Sequence, residues 1–228
     1  VTPKEEIHAL VDYSMTTEGF SSFAIFSPDT PYGNHAADTF QEAVTALGGQ
    51  VTVLERYDAK STDLIEFAQR LGRKDYEARY TELKELREKA EENGRDPDRV
   101  VLPPTLDFDA LFIPDSASRI PLACAALAYE EFPMGDFLPT KESPQIPLLG
   151  LSSWNRSSLI NNGGPYVRGS IFTDVFVPPA DLPSMPIPEP AEVQTDTNTD
   201  DTSELSQETA PLDPVSQFVL DYQTTKER

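Results

Sequence analysis

Short apolar runs and amphipathic helical stretches take turns along most of this chain, and that alternation constrains the fold more than any other feature. Residues 4–17 place Ile7, Leu10, Val11 and Met15 at helical spacing, with Thr2 positioned as a cap and Pro3 in the first turn. After Gly19 comes Phe23-Ala24-Ile25-Phe26, the continuous apolar run of a strand buried on both faces. Residues 27–33 read as a polar turn. A helix is expected over 34–47, with Ala36, Phe40, Val44 and Leu47 on one face and Gly48-Gly49 stopping it. A second strand is expected over 51–57. Thr62 is placed to open a third helix, amphipathic over 64–71 and continued over 74–93 by a charged, solvated extension with pairs such as Lys84 and Glu88 at i,i+4. Strands at 108–113, 146–151 and 169–177, an Ala-rich helix at 117–129 and a short helix at 157–160 complete the series.

Strands alternating with helices in this way predict an α/β fold, a parallel sheet with helices on both faces. Ligands in such sheets bind beyond the carboxyl ends of the strands. The useful residues are therefore expected on four loops, 27–33, 57–61, 114–118 and 151–156. The folded lobe is expected to span 1–177. Over 178–214 Pro and acidic residues are frequent, Lys and Arg are absent and large apolar residues are sparse. Such a segment cannot bury enough surface to offset the entropy of ordering, so it reads as a disordered acidic linker. Residues 215–228 read as the start of a further helix of a truncated remainder. The first residue is Val rather than Met, so the expectation is a fragment whose export signal would lie upstream.

A formal net charge of −21 argues against nucleic acid and against anionic membrane surfaces, both of which need clustered Lys and Arg. No run approaches the roughly 18 apolar residues of a membrane span. Cys124 is the single cysteine, so neither an internal disulfide nor a cysteine zinc cluster can form. Its setting in the run 122–127 reads as a buried, inert thiol.

Catalytic signatures are missing. No nucleophile, base and orienting group can be assembled, and His8 and His35 both fall on expected helices as surface residues. The chain is therefore read as non-catalytic, without cofactor or metal. Asp107, Asp109 and Asp115 could approach a cation, but the spacing is no calcium loop and polar residues flanking a buried strand is the better reading. The loop Ser27-Pro28-Asp29-Thr30-Pro31-Tyr32-Gly33 is more informative. It joins a buried strand to a helix N-terminus, which favours an anion such as a carboxylate, and Tyr32 offers both a ring and a hydroxyl. A tight turn with Tyr32 packed locally explains the same residues. In Gly150-Leu151-Ser152-Ser153-Trp154-Asn155, Trp154 is either a pocket wall or a lid on the core.

The motif Phe-Ala-Ile-Phe-Ser-Pro-Asp-Thr-Pro-Tyr-Gly at 23–33, the Gly-Gly at 48–49, the strand ending at Tyr57 and Leu-Leu-Gly-Leu-Ser-Ser-Trp at 148–154 together resemble the second lobe of type I periplasmic binding proteins, closest to the leucine/isoleucine/valine-binding branch. The charged helix extension and the segment 106–116 are similar to the penicillin-binding protein activator lipoproteins. The resemblance implies ligand contacts at Tyr32 and at Asp115 and Ser116, and the strand-end loops add Asp29, Thr30, Ser152 and Trp154 as expected contacts. It also implies a periplasmic protein, anchored to the outer membrane if it is of the activator group. The family's acidic partner for a ligand ammonium aligns near Ser152, which carries no charge, and this favours a lobe that has turned from transport to partner binding. The implied partner is a peptidoglycan synthase. The alternative is the substrate-binding protein of an ABC transporter, with a permease as partner and a branched-chain amino acid or related small solute as ligand.

Overall fold

A computed structural model describes residues 2–141 and 143–174. All of them fall in one unit, Val1–Pro178. Residues 178–214 and 215–228, expected as linker and helix start, and the last part of the strand expected at 169–177, lie outside the described residues.

The first helix, α1 (Pro3–Thr16), is set by a capping box: Thr2 Oγ1 accepts from the Glu5 N–H at 3.3 Å, and the Glu5 carboxylate accepts from the Thr2 N–H at 2.7 Å. Strand β1 (Ser22–Pro28) follows, then α2 (Pro31–Ala46), whose first turn is capped by Thr30 Oγ1 accepting from the Gly33 N–H at 3.0 Å. The turn expected over 27–33 is therefore shorter than its sequence suggests. The strand runs to Pro28 and the helix starts at Pro31, so Tyr32 and Gly33 belong to the helix. Next come β2 (Gln50–Tyr57), α3 (Ile65–Leu71), α4 (Tyr80–Glu92), β3 (Ala110–Phe112), α5 (Ile120–Tyr129), β4 (Leu148–Gly150), α6 (Ser157–Asn162) and β5 (Ile171–Phe172).

The five strands pair in parallel in the order β2-β1-β3-β4-β5. The α/β expectation holds, and the strand order reverses between β1 and β3, the switch point of a doubly wound sheet. The period-2 alternation of the strands divides the core between the two faces of the sheet. Phe23 and Ile25 of β1, with Ala110 and Phe112 of β3, pack with Ile7, Leu10 and Val11 of α1 and Ala36, Phe40 and Val44 of α2. Phe40 stacks on Phe112 with ring centroids 4.2 Å apart and meets Phe23 edge-on at 5.5 Å. Ala24, Phe26, Leu111 and Ile113 belong to the other cluster, with Ala68 and Leu71 of α3 and Ala123, Cys124 and Leu127 of α5. Cys124 is fully buried, as its apolar run predicts.

The helix expected as one piece over 62–93 is two helices. Asp63, not Thr62, accepts the Ile65 N–H at 3.0 Å. After Leu71 the chain ends its turn with the Lys74 N–H donating to Gln69 O at 2.9 Å and Arg73 in the left-handed region at φ 48°. Lys74, just past this break, is fully buried against Glu130, with Nζ 2.9 Å from Oε2. Nor is α4 solvated all round, since Leu83 and Ala90 are buried. The pair Lys84–Glu88 does form, at 3.6 Å on the exposed face. No helix among the described residues is long and apolar enough to cross a membrane.

Candidate functional site

The four loops after β1, β2, β3 and β4 meet at the carboxyl edge of the sheet around a depression of about 230 Å³. Pro28 at the end of β1 and Pro114 just after β3 both line it, so it sits at the switch point between those strands. The β1 loop and the start of α2 contribute Thr30 and Tyr32, and the β2 loop contributes Ala59. The β3 loop brings Asp115, Ser116 and Arg119, and the β4 loop brings Ser153. A wider hollow of about 600 Å³ is lined by Asp38, Gln41, Glu42, Thr45 and Ala46, all from α2. One helix face offers no convergence of elements, so the switch-point depression is the candidate site.

Local sequence explains the approach of the loops. An ideal Cβ on Gly33 would lie 2.1 Å from Pro28 O, so only glycine lets the first turn of α2 fold back on the end of β1. A Cβ on Gly150 would lie 2.2 Å from Trp154 Cδ2, so the last residue of β4 must be bare for the indole to cover it. Trp154 is 2 % exposed. It is the core lid rather than a wall of the depression, and its indole N–H donates to Asp115 O at 3.1 Å.

Asp115 is the hub. Its Oδ2 accepts from the buried Tyr57 hydroxyl at 2.7 Å, its Oδ1 accepts from the Ser116 N–H at 2.6 Å, and Arg119 Nε stands 3.8 Å from Oδ2. Burial first, then the Asp115 charge and the hydrogen bond to it, push the Tyr57 phenol far above its ordinary range, so Tyr57 is a fixed donor. Arg119 also donates through Nη2 to Ser61 O at 2.9 Å, which fastens the β2 loop to the β3 loop. Tyr32 is 46 % exposed at the rim. Partial burial, then the negative charges of Glu6 and Asp115, raise its phenol above the usual tyrosine value.

Of the seven residues expected at the site, Thr30, Tyr32, Asp115 and Ser116 line the depression. Asp29 is beside it with its carboxylate accepting from the Asn34 amide at 2.9 Å, while Ser152 and Trp154 are turned to other partners. Ser152 donates through N–H and Oγ to the Glu6 carboxylate, each at 2.9 Å, and Thr173 Oγ1 donates to the same group at 3.2 Å. An acid does therefore stand against Ser152, supplied by α1 across 146 residues of sequence. The signal for Glu6 was its place on the buried stripe of α1, beside Ile7 and four residues before Leu10. Arg119 was missed because the β3 loop was taken to end at 118, and Asp115 and Arg119 are one helical turn apart.

The three strand-flanking aspartates separate. Asp107 pairs with Arg73 at 2.7 Å, and Asp109 accepts from the N–H and hydroxyl groups of Ser21 and Ser22. Among the described residues no three His, Cys, Asp or Glu side chains are grouped to hold a metal. His8 and His35 are exposed on α1 and α2.

Residues 1–79 match the family model described as periplasmic binding protein. The structure superimposes on a protein of Rhodopseudomonas palustris at TM-score 0.51 and 10 % identity, covering 76 % of this chain and 36 % of that one. An extracellular ligand-binding receptor from Verminephrobacter eiseniae gives 0.50 at 19 %, covering 79 % and 39 %. A periplasmic binding protein type 1 from Bordetella pertussis gives 0.50 at 13 %, covering 75 % and 34 %. At these identities the likeness is one of fold. The chain spans a third to two fifths of the length of the structures it matches. No curated protein matches it by sequence. Its fold is one lobe of a periplasmic binding protein.

Proposed function

We propose that the chain is a non-catalytic binding lobe that holds one side of a small organic solute at the carboxyl edge of its sheet, as part of a periplasmic substrate-binding protein serving an ABC permease. The observation that carries this reading is the convergence of four strand-end loops on one depression at the switch point, where open α/β sheets bind ligands. The depression mixes an aromatic edge from Tyr32 with hydroxyls and one guanidinium. That lining suits a compact polar solute of the amino-acid size class better than a flat protein partner. In two-lobed proteins of this fold, hinge closure buries the solute between facing lobes, so this lobe supplies one wall.

A regulator that docks on a peptidoglycan synthase draws less support. Two of the superimposed structures are a ligand-binding receptor and a periplasmic binding protein. The test is calorimetry of the full-length protein, stripped of bound solute, against amino acids, small organic acids and muropeptides. Saturable binding of a small solute, lost on Tyr32→Ala, supports the proposal. No heat with any solute, together with retention on an immobilised peptidoglycan synthase, would overturn it in favour of the regulator.

A further inference from the structure

We propose that the outer edge of β2 is a strand-pairing surface for a second copy of this chain, and that Arg73 holds it shut.

Strand β2 stands at the end of the strand order, so among the described residues only β1 pairs with it. An edge of eight residues presents a row of unpaired N–H and C=O groups, which is a template for another strand. Its composition favours pairing. Val51, Thr52, Val53, Leu54 and Tyr57 suit a pleated surface, and residues 51–55 are half-buried. The charges along the edge are cancelled in place, Glu55 by Arg70 at 2.8 Å and Arg56 by Asp38 at 3.0 Å. Two copies meeting there bring no net like charge to the seam. Each copy offers the same edge, and a two-fold axis turns the donors of one onto the acceptors of the other. A second copy is therefore the occupant that matches.

Two features stand against that pairing, and both fall at Thr52. The register pairs Phe23 with Val51 and Ala24 with Val53, so Thr52 is skipped as a bulge. Packing shows the same extra residue. Val51 packs against the cluster of α1 and α2, and Val53 against that of α3 and α5, although residues two apart in a regular strand share a face. The Thr52 carbonyl is then covered by Arg73. Arg73 Nη2 donates to Thr52 O at 2.8 Å, and Nη1 donates to Asp107 Oδ2 at 2.7 Å. One arm of the planar fork closes the edge while the other is held by the carboxylate, which makes Asp107 a positioning residue. An incoming strand has to displace the guanidinium. The backbone points the same way. Arg73 follows α3 in the left-handed region, at φ 48°, where glycine is the usual helix-ending residue. Ending the helix needs no long cationic side chain, but the bond to Thr52 O does. Arg73 and Asp107 are 44 % and 42 % exposed, so their ion pair adds little to folding stability and its effect belongs in association.

The test is sedimentation velocity of the full 228-residue chain over a range of concentrations. Salt of about 0.15 M, with a Debye length of about 8 Å, screens the repulsion between copies of net charge −21. Arg73→Gly keeps the left-handed backbone and removes only the guanidinium, so its melting point should not fall. The wild-type chain is expected to stay monomeric. Arg73→Gly is expected to dimerise about tenfold to a hundredfold more tightly, the scale of one charge-assisted hydrogen bond. Arg73→Lys cannot span Asp107 and Thr52 O with one fork, and Asp107→Asn frees the fork from its holder. Both should fall between, and they carry the test if the glycine variant does not fold. Amide hydrogen exchange at low and high protein concentration locates the seam, with residues 50–57 gaining protection in the dimer. Variants that all stay as monomeric as the wild type would overturn the proposal. So would dimerisation that leaves 50–57 unprotected, or a wild-type chain already paired through those residues.

Discussion

Lys74→Met is the most demanding perturbation of this fold. Lys74 and Glu130 form an ion pair at 2.9 Å with side chains 0 % and 4 % exposed, and Gln69 Nε2 donates to the other Glu130 oxygen at 3.1 Å. The pair ties the start of the α3–α4 connection to the end of α5. Replacing Lys74 alone leaves a buried carboxylate with one amide donor, and breaking such a pair costs about 3–5 kcal/mol. Set against a total stability of about 5–15 kcal/mol, that is a large fraction. It corresponds to a melting-point drop of roughly 6–20 °C for a domain of this size. Lys74→Met combined with Glu130→Leu removes both charges and keeps apolar volume, so the double variant is expected within about 1–2 kcal/mol of the parent. Urea unfolding followed by circular dichroism gives all the midpoints, and an unchanged slope shows that the same surface is being exposed. Single variants losing under about 1 kcal/mol, or a double variant as unstable as the sum of the singles, would show a wet pair with surface energetics and refute the reasoning.

Three further outcomes follow from named contacts. Gly150→Ala puts a methyl into the Trp154 ring and should destabilise by about 1–3 kcal/mol with a red shift of tryptophan fluorescence; an unchanged spectrum and midpoint would mean the indole moves aside freely. Burial pushes the Cys124 thiol up to about 12, so a thiol reagent at neutral pH should label it only at the rate of unfolding, and rapid labelling of the native protein would contradict the packing around α5. Asp109 works against its own burial, which raises its pKa, but the hydrogen bonds from Ser21 and Ser22 outweigh that and hold it below the usual carboxylate value. Its folded pKa is below its unfolded one, so its contribution is present above about pH 4 and is lost as pH falls through the folded value. Asp109→Asn should flatten the acid limb of the stability curve, and an identical limb would show that other carboxylates set it.

The sequence by itself determined the α/β layering, because strand burial on two faces and helix burial on one leave period-2 and period-3.6 patterns that need no partner to be read. It placed β1 and β2 and the N-cap of α1, and it identified the four loops at the carboxyl edge of the sheet. The order of β3 and β4 against β1 was implied only through the fold, and the break at Gly72-Arg73 was hidden. A charged run such as 74–93 reads as solvated whether or not one of its lysines is buried against a glutamate 56 residues away. Glu6 against Ser152 and Arg119 against Ser61 belong to the same class. Each joins residues far apart in the chain, and the hydrogen bonds that decide their roles exist only once the sheet has brought those loops together. Tertiary structure therefore settled which of the expected residues share a depression and which, like Trp154 over Gly150, close the core instead.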